Sequence, residues 1–306
     1  MALTKDEIKN RLINNDALFN YIHVIQQNFD IIPDDKPHIG ASIAYQDLQE
    51  LKDNFINSLF DTITDWVYSS DKFSELLKNE MRKGSSLATA SSAVQRKARE
   101  KFRKKENSKE LLIQGQLGEL MLFHFIQRYM QAIPLLRKMR ITTSNAVERF
   151  GSDAIHYKKE ADNNIFILGE AKTYVSENSF KNAFSKSITS ILNSYNNFHK
   201  ELGLYTHEDF LDKELDVIAE QFLNNTIENP KIELVSIIIY NETEKINITD
   251  QDDIHHQIEE VIKNRFHDYD NNLIDIESNP ILKRITYIAF PIWQLKELAE
   301  RFQKMI

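Results

Sequence analysis

The sequence predicts an α/β (α+β) fold, with a core sheet flanked by helices and preceded by an N-terminal helical region. Three observations point to it. The run ELVSIIIY at 233–240 is dense in β-branched residues, as a buried strand requires. In NNIFILGEAKTY at 163–174, apolar residues follow one another from Ile165 to Leu168, the pattern of a strand covered on both faces. Helical stretches at about 178–200 and 207–224 separate these two strands, a long crossover that favours parallel pairing.

The other elements follow in chain order. Residues 1–105 carry helix formers near 4–15, 45–66, 71–82 and 86–105, with Asp71 a candidate N-cap. Asn107 and Glu110 match a capping box, opening a strongly apolar helix to about residue 130. Strands are expected at 140–144, 153–157, 164–172, 233–240 and 284–290. The 306 residues, 42% of them apolar, lie between one large unit and two ordinary ones, divided here into 1–105 and 106–306. With only seven Gly and six Pro, long low-complexity linkers are absent.

Composition removes several chemistries. Without cysteine there is no disulfide, zinc-thiolate site or thiol nucleophile. MALTKDEIKNRL lacks an apolar signal core, and no run approaches the roughly 18 apolar residues of a membrane span, so a cytoplasmic location without membrane contact is expected. No G-x-x-x-x-G-K-[ST] motif occurs, so any ATP-driven motor must be another protein, and no G-x-S-x-G elbow marks a serine hydrolase.

The formal net charge of −8 conceals segregation. Residues 1–80 hold 7 Lys or Arg against 14 Asp or Glu, residues 81–140 hold 14 against 4, and residues 141–306 hold 17 against 28. The basic island centres on VQRKAREKFRKKE at 94–106, with Arg96, Lys97, Arg99, Lys101, Arg103, Lys104 and Lys105, and is extended by Arg82, Lys83, Arg137, Lys138 and Arg140. A positive stripe between acidic flanks suits contact with DNA phosphates that reads no sequence. A solvated helix docked on an acidic neighbour suits the same residues, and both readings stand here.

The chemistry gathers around 119–172. Side chains two apart on a strand share a face, so Glu170 and Lys172 point the same way as Phe166 and Leu168, with Ile165, Ile167, Gly169 and Ala171 opposite. A charged pair closing a doubly covered strand loses hydration and needs compensation, either as a structural salt bridge or from a metal. A hairpin around KKEADN brings Asp153 beside Glu170. Two converging carboxylates form a hard-oxygen site of the kind Mg²⁺ uses while keeping several waters. Lys172 then stands where an ammonium holds the attacking water and offsets charge on a phosphoryl group. Glu119 adds a fourth group: in LLIQGQLGELMLFHFI it shares a helical stripe with Leu112, Gly115, Leu122, Phe123 and Ile126. Gly115 and Gly118 are expected to bring that helix close to the sheet.

A helix bearing Glu119, then Asp153, then Glu170-Ala171-Lys172 resembles the PD-(D/E)XK nuclease core. More narrowly, GQLGEL at 115–120, GSDAIH at 151–156 and ILGEAK at 167–172 resemble the HamA family, effector subunits of the bacterial Hachiman anti-phage system, most strongly over residues 110–240. The resemblance implies a nuclease-type fold, a divalent cofactor (Mg²⁺ or Mn²⁺), DNA as the target, and a helicase partner, HamB, that restrains the effector. It implies that Asp153 and Glu170 are metal ligands, Lys172 the catalytic lysine and Glu119 a supporting carboxylate. Ser152 departs from the proline of the generic motif. The rival reading is a non-catalytic adaptor with a degenerate nuclease fold, binding helicase and nucleic acid.

Three remaining features are read as structural. His255 and His256 are adjacent, share no helix face, and are expected to be exposed. His156 faces away from Asp153 as a core or hydrogen-bonded histidine. The run from Asp268 begins like a calcium loop, but Leu273 stands where glycine is needed and Asn279 where glutamate is needed, so that site is rejected.

Overall fold

One mixed sheet organises the chain. In the computed structural model, which describes residues 5–13, 15–101, 113–136, 151–177, 179–205 and 213–306, nine strands occur. They are β1 (Ile22–Gln27), β2 (His38–Ile43), β3 (Tyr45–Gln46), β4 (Gln49–Glu50), β5 (Ile133–Leu136), β6 (Ala154–Glu160), β7 (Asn163–Tyr174), β8 (Pro230–Glu242) and β9 (Ile285–Trp293). Seven of them form the sheet in the order β1-β2-β9-β8-β7-β6-β5, and β3 and β4 form a separate small hairpin. The inner strands β2, β9, β8 and β7 run parallel to their neighbours, while β1, β6 and β5 are added antiparallel. The parallel β7–β8 pairing expected from the crossover is present.

The helices are α1 (Lys5–Arg11), α2 (Asp16–Phe19), α3 (Lys52–Asp61), α4 (Ile63–Val67), α5 (Ser70–Arg82), α6 (Leu87–Arg99), α7 (Ile113–Met130), α8 (Phe180–Tyr205), α9 (Lys213–Leu223), α10 (Gln251–His267) and α11 (Leu295–Met305). They cover both faces of the sheet. On one face Leu117, Met121 and Leu122 of α7, with α3 and α11, pack on Ile165, Ile167, Ile237, Ile239 and Phe290. On the other, Phe184, Ile188 and Ile191 of α8, with α9 and α10, pack on Phe166, Leu168, Leu234, Ile238 and Tyr287. Alternate residues of β7 and β8 therefore feed two separate cores, which explains their unbroken apolar runs.

The described N-terminal residues differ from a purely helical region. β1 and β2 were not expected, and they join the same sheet as β7 through the parallel contact of Ile39 and Gly40 with Ile288 and Ala289. Their sequences, IHVIQQ and HIGASI, are short and carry polar residues that dilute the strand pattern. β5 was also missed. Ser69, not Asp71, caps α5, its side chain accepting from the Lys72 N–H at 3.3 Å. The strand expected at 140–144 and the capping box at Asn107 and Glu110 lie outside the described residues.

Close approach of α7 to the sheet rests on two glycines. A Cβ on Gly118 would sit 2.5 Å from Thr173 Oγ1 and 3.3 Å from Ala171 Cβ. One on Gly169 would lie 2.9 Å from Leu122 Cδ2, 3.0 Å from Ile126 Cδ1 and 3.1 Å from Ala154 Cβ. Gly115, expected to share this role, has open space around it, with nothing within 4 Å. Gly169→Ala must displace the tips of Leu122 and Ile126 and press on Ala154, so it is expected to destabilise the fold by about 1–3 kcal/mol. A lowered midpoint in urea unfolding checks this, with Gly115→Ala unchanged or slightly stabilised as the control.

Candidate active site

Backbone pairing alone places two carboxylates side by side. Ala154 pairs with Gly169, and the Asp153 N–H donates to Gly169 O at 2.8 Å, so Asp153 stands across the antiparallel ladder from Glu170. Opposed residues of such a ladder share a face. The turn behind it is tighter than the expected six-residue loop: Glu160 pairs with Asn163, and Ala161 takes a left-handed φ of 49°. Asp153 Oδ2 accepts from the Ala171 N–H at 2.9 Å, which ties the carboxylate to the strand carrying Glu170.

Glu170 is 4% exposed, and its Oε1 accepts from Lys172 Nζ at 2.5 Å. Burial and the neighbouring Asp153 charge push its carboxyl up to about 7, against the pull of Lys172 and of the Ser190 hydroxyl. Burial works against the Lys172 ammonium, but Glu170 and Asp153 outweigh it and hold the lysine above its usual range. The cluster thus holds one strained negative charge beside a firmly retained positive one.

Helix α8 supplies a polar seam to this face. Ser190 donates to Glu170. Ser187 pairs hydroxyl to hydroxyl with Ser236, the β8 residue in register with Glu170. At the far end, buried Glu201 accepts from the Ser152 N–H at 3.0 Å. Gly151, at φ 124°, is needed there, because a Cβ would fall 2.1 Å from the Glu201 carboxyl carbon. Glu201 therefore fixes the turn that delivers Asp153. These residues escaped the sequence reading, although Ser187, Ser190, Ser194 and Glu201 do recur at three-, four- and seven-residue steps along one face of α8.

Glu119 lies on α7, which packs on the other face of β7. Its neighbour Gly118 meets Ala171 and Thr173, so α7 covers the face of β7 opposite Glu170 and Lys172. Glu119 is half-buried, and among the described residues no group of three His, Cys, Asp or Glu is placed to hold a metal ion. Asp153, Glu170 and Lys172 converge as expected; Glu119 does not complete a trio of acidic ligands. The two remaining carboxylates still fit a Mg²⁺-type cation in donor chemistry, since such an ion commonly binds through one or two carboxylates and retains its waters.

The basic run is partly committed within the fold. Lys97 pairs with Glu80 at 2.6 Å, and the Arg99 guanidinium lies 4.0 Å from the Phe60 ring centroid. Ala90, Val94 and Ala98 form the buried stripe of α6, leaving Arg96 and Lys101 exposed. Arg103, Lys104 and Lys105, together with Arg137, Lys138 and Arg140, lie outside the described residues. His156 is buried against Phe123, as expected of a core histidine. His255 is not exposed: its ring stacks on His23 with centroids 4.1 Å apart. Among the described residues no helix is long and apolar enough to cross a membrane.

No curated protein matches the chain. A family model described as HamA matches residues 17–306, from α2 through α11, well beyond the 110–240 segment that carries the motifs. The chain belongs to the HamA family, and this membership supports a role in Hachiman anti-phage defence.

Proposed function

We propose that the chain is a metal-dependent deoxyribonuclease, hydrolysing DNA phosphodiester bonds with Mg²⁺ or Mn²⁺ and held in check by the helicase subunit HamB. One observation supports the chemistry above others: Asp153 and Glu170 are opposed on adjacent strands, with Lys172 Nζ 2.5 Å from Glu170. The helicase and its restraint rest on family membership. Asp153 and Glu170 would hold the divalent ion, which would supply Lewis-acid chemistry there. Asp153, with Oδ2 tied to the Ala171 N–H, keeps its other oxygen for the ion. Lys172 remains charged at neutral pH and offsets negative charge on a phosphoryl group beside it. The Ser190 hydroxyl and the Lys172 ammonium together orient Glu170.

The adaptor reading draws on the absence, among the described residues, of a group of three acidic or histidine ligands, and on the short ion pair, which is self-sufficient as a structural bridge. Plasmid incubated with Mg²⁺ or Mn²⁺, with and without the helicase, separates the two. Hydrolysis is expected to fall at least about a hundredfold in Glu170→Ala and Lys172→Ala. Equal traces for wild type and both variants under every condition favour the adaptor.

Glu170 also gives a metal-free readout. Its folded value, about 7, exceeds the 4.5 of an ordinary glutamate, so the proton is bound more tightly in the folded chain. The resulting stabilisation is complete below about pH 4.5 and is lost as pH rises through about 7. In chelator, wild type is expected to lose on the order of 2 kcal/mol more than Glu170→Gln across this window. At pH 8, Mn²⁺ is expected to raise the wild-type melting temperature and to leave Asp153→Asn unchanged.

For DNA contact, charge reversal at Arg96 and Lys101 is expected to weaken binding and reduce the salt slope by about 2. Lys97→Ala, whose ammonium is already paired with Glu80, is expected to leave both unchanged. Titration at two salt concentrations checks both expectations.

A further inference from the structure

A cavity of about 260 Å³ opens at the C-terminal end of β8, where it meets the start of α8. Its lining includes Ser179, Lys181, Tyr240, Glu242, Arg265 and Asp268. Ser190, which touches Glu170, lies nine residues along α8 from Lys181, about 14 Å at the helical rise. None of the lining residues is Asp153, Glu170 or Lys172, and Tyr240 lies two residues beyond Ile238, the β8 partner of Lys172.

The hydrogen-bonding capacity left over in this cavity is mainly that of donors. Glu242 is 3% exposed and already saturated: Oε1 accepts from the N–H groups of Thr243 at 2.7 Å and Glu244 at 2.9 Å and from Arg265 Nη2 at 2.5 Å, and Oε2 accepts from Arg265 Nε at 3.0 Å. A cation would find its buried carboxylate spent, with only the exposed Asp268 at the rim. By contrast, Tyr240 is 1% exposed and Ser179 6% exposed, and neither hydroxyl has a hydrogen-bond partner. The first intrahelical bond of α8 runs from the Ala183 N–H to Ser179 O, so the N–H groups of Phe180, Lys181 and Asn182 have no acceptor within the helix. Lys181 is exposed at the same helix end. The α8 dipole adds positive potential there.

A buried phenol, a buried serine hydroxyl, the first-turn N–H groups of α8 and a lysine together suit one ligand with several acceptor oxygens and negative charge. We propose that this cavity binds a phosphoryl group, as a phosphate monoester or inorganic phosphate, seated on the first turn of α8 with Ser179, Lys181 and Tyr240 as donors. The site stands without the hydrolytic reading, because none of its residues belongs to the carboxylate pair.

Calorimetric titration of the full chain in chelator tests it. The probes are inorganic phosphate, a nucleoside 5′-monophosphate, and one single-stranded oligonucleotide with and without a 5′-phosphate. At least one phosphate-bearing probe is expected to bind, about tenfold more weakly in Tyr240→Phe, which removes only the hydroxyl, and in Lys181→Glu, which alters an exposed side chain. Preference for the 5′-phosphorylated strand identifies a nucleic-acid end as the source of the phosphate; equal binding of phosphate and mononucleotide identifies a free anion. Absence of binding by every probe, or affinities unchanged in both Tyr240→Phe and Lys181→Glu, overturns the assignment.

Discussion

Two-sided burial of β7 is the constraint on which the site depends. Ile165, Phe166, Ile167 and Leu168 are all buried, and each contributes about 1.5–3 kcal/mol on leaving water. Raising Glu170 from 4.5 to about 7 costs on the order of 3 kcal/mol at high pH. The strand can therefore carry an unfavourable carboxylate because the apolar residues before it outweigh that cost. The covering helices divide the labour. α7 approaches through Gly118 and Gly169, while α8 brings serines and Glu201 to the face where the charges lie.

Much of this was legible in the sequence because the relevant rules are local. Alternation along NNIFILGEAKTY put Glu170 and Lys172 on one face, and a short hairpin was enough to set Asp153 opposite Glu170. The tighter turn at Ala161 changed the loop and kept the partnership. The place of Glu119 was less legible than that of the strand residues. Helical spacing shows which residues share a stripe, but the face of the sheet that the stripe covers is decided by long-range packing. β1 and β2 escaped for a related reason, since their strand character comes from a partner almost 250 residues away and not from their own pattern.

Charge patterning was legible only as a total. The island at 81–140 is real in composition, yet Lys97 serves to bind α6 to α5 through Glu80, and Arg99 lies over Phe60. Exposed ion pairs of this kind are worth little individually, but each one that forms removes a cation from those available to a polyanion. Counting basic residues therefore overstates the charge presented to DNA.

The parallel contact between β2 and β9 has a consequence for biosynthesis. Ile39 is translated 249 residues before its ladder partner Ile288, which follows β7 and β8. At roughly 5–20 residues per second, the nascent β1–β2 ribbon waits on the order of ten seconds or more with an unsatisfied edge. Such an edge invites wrong partners. Closure of the sheet, and with it protection of that ribbon, thus waits for synthesis of β9.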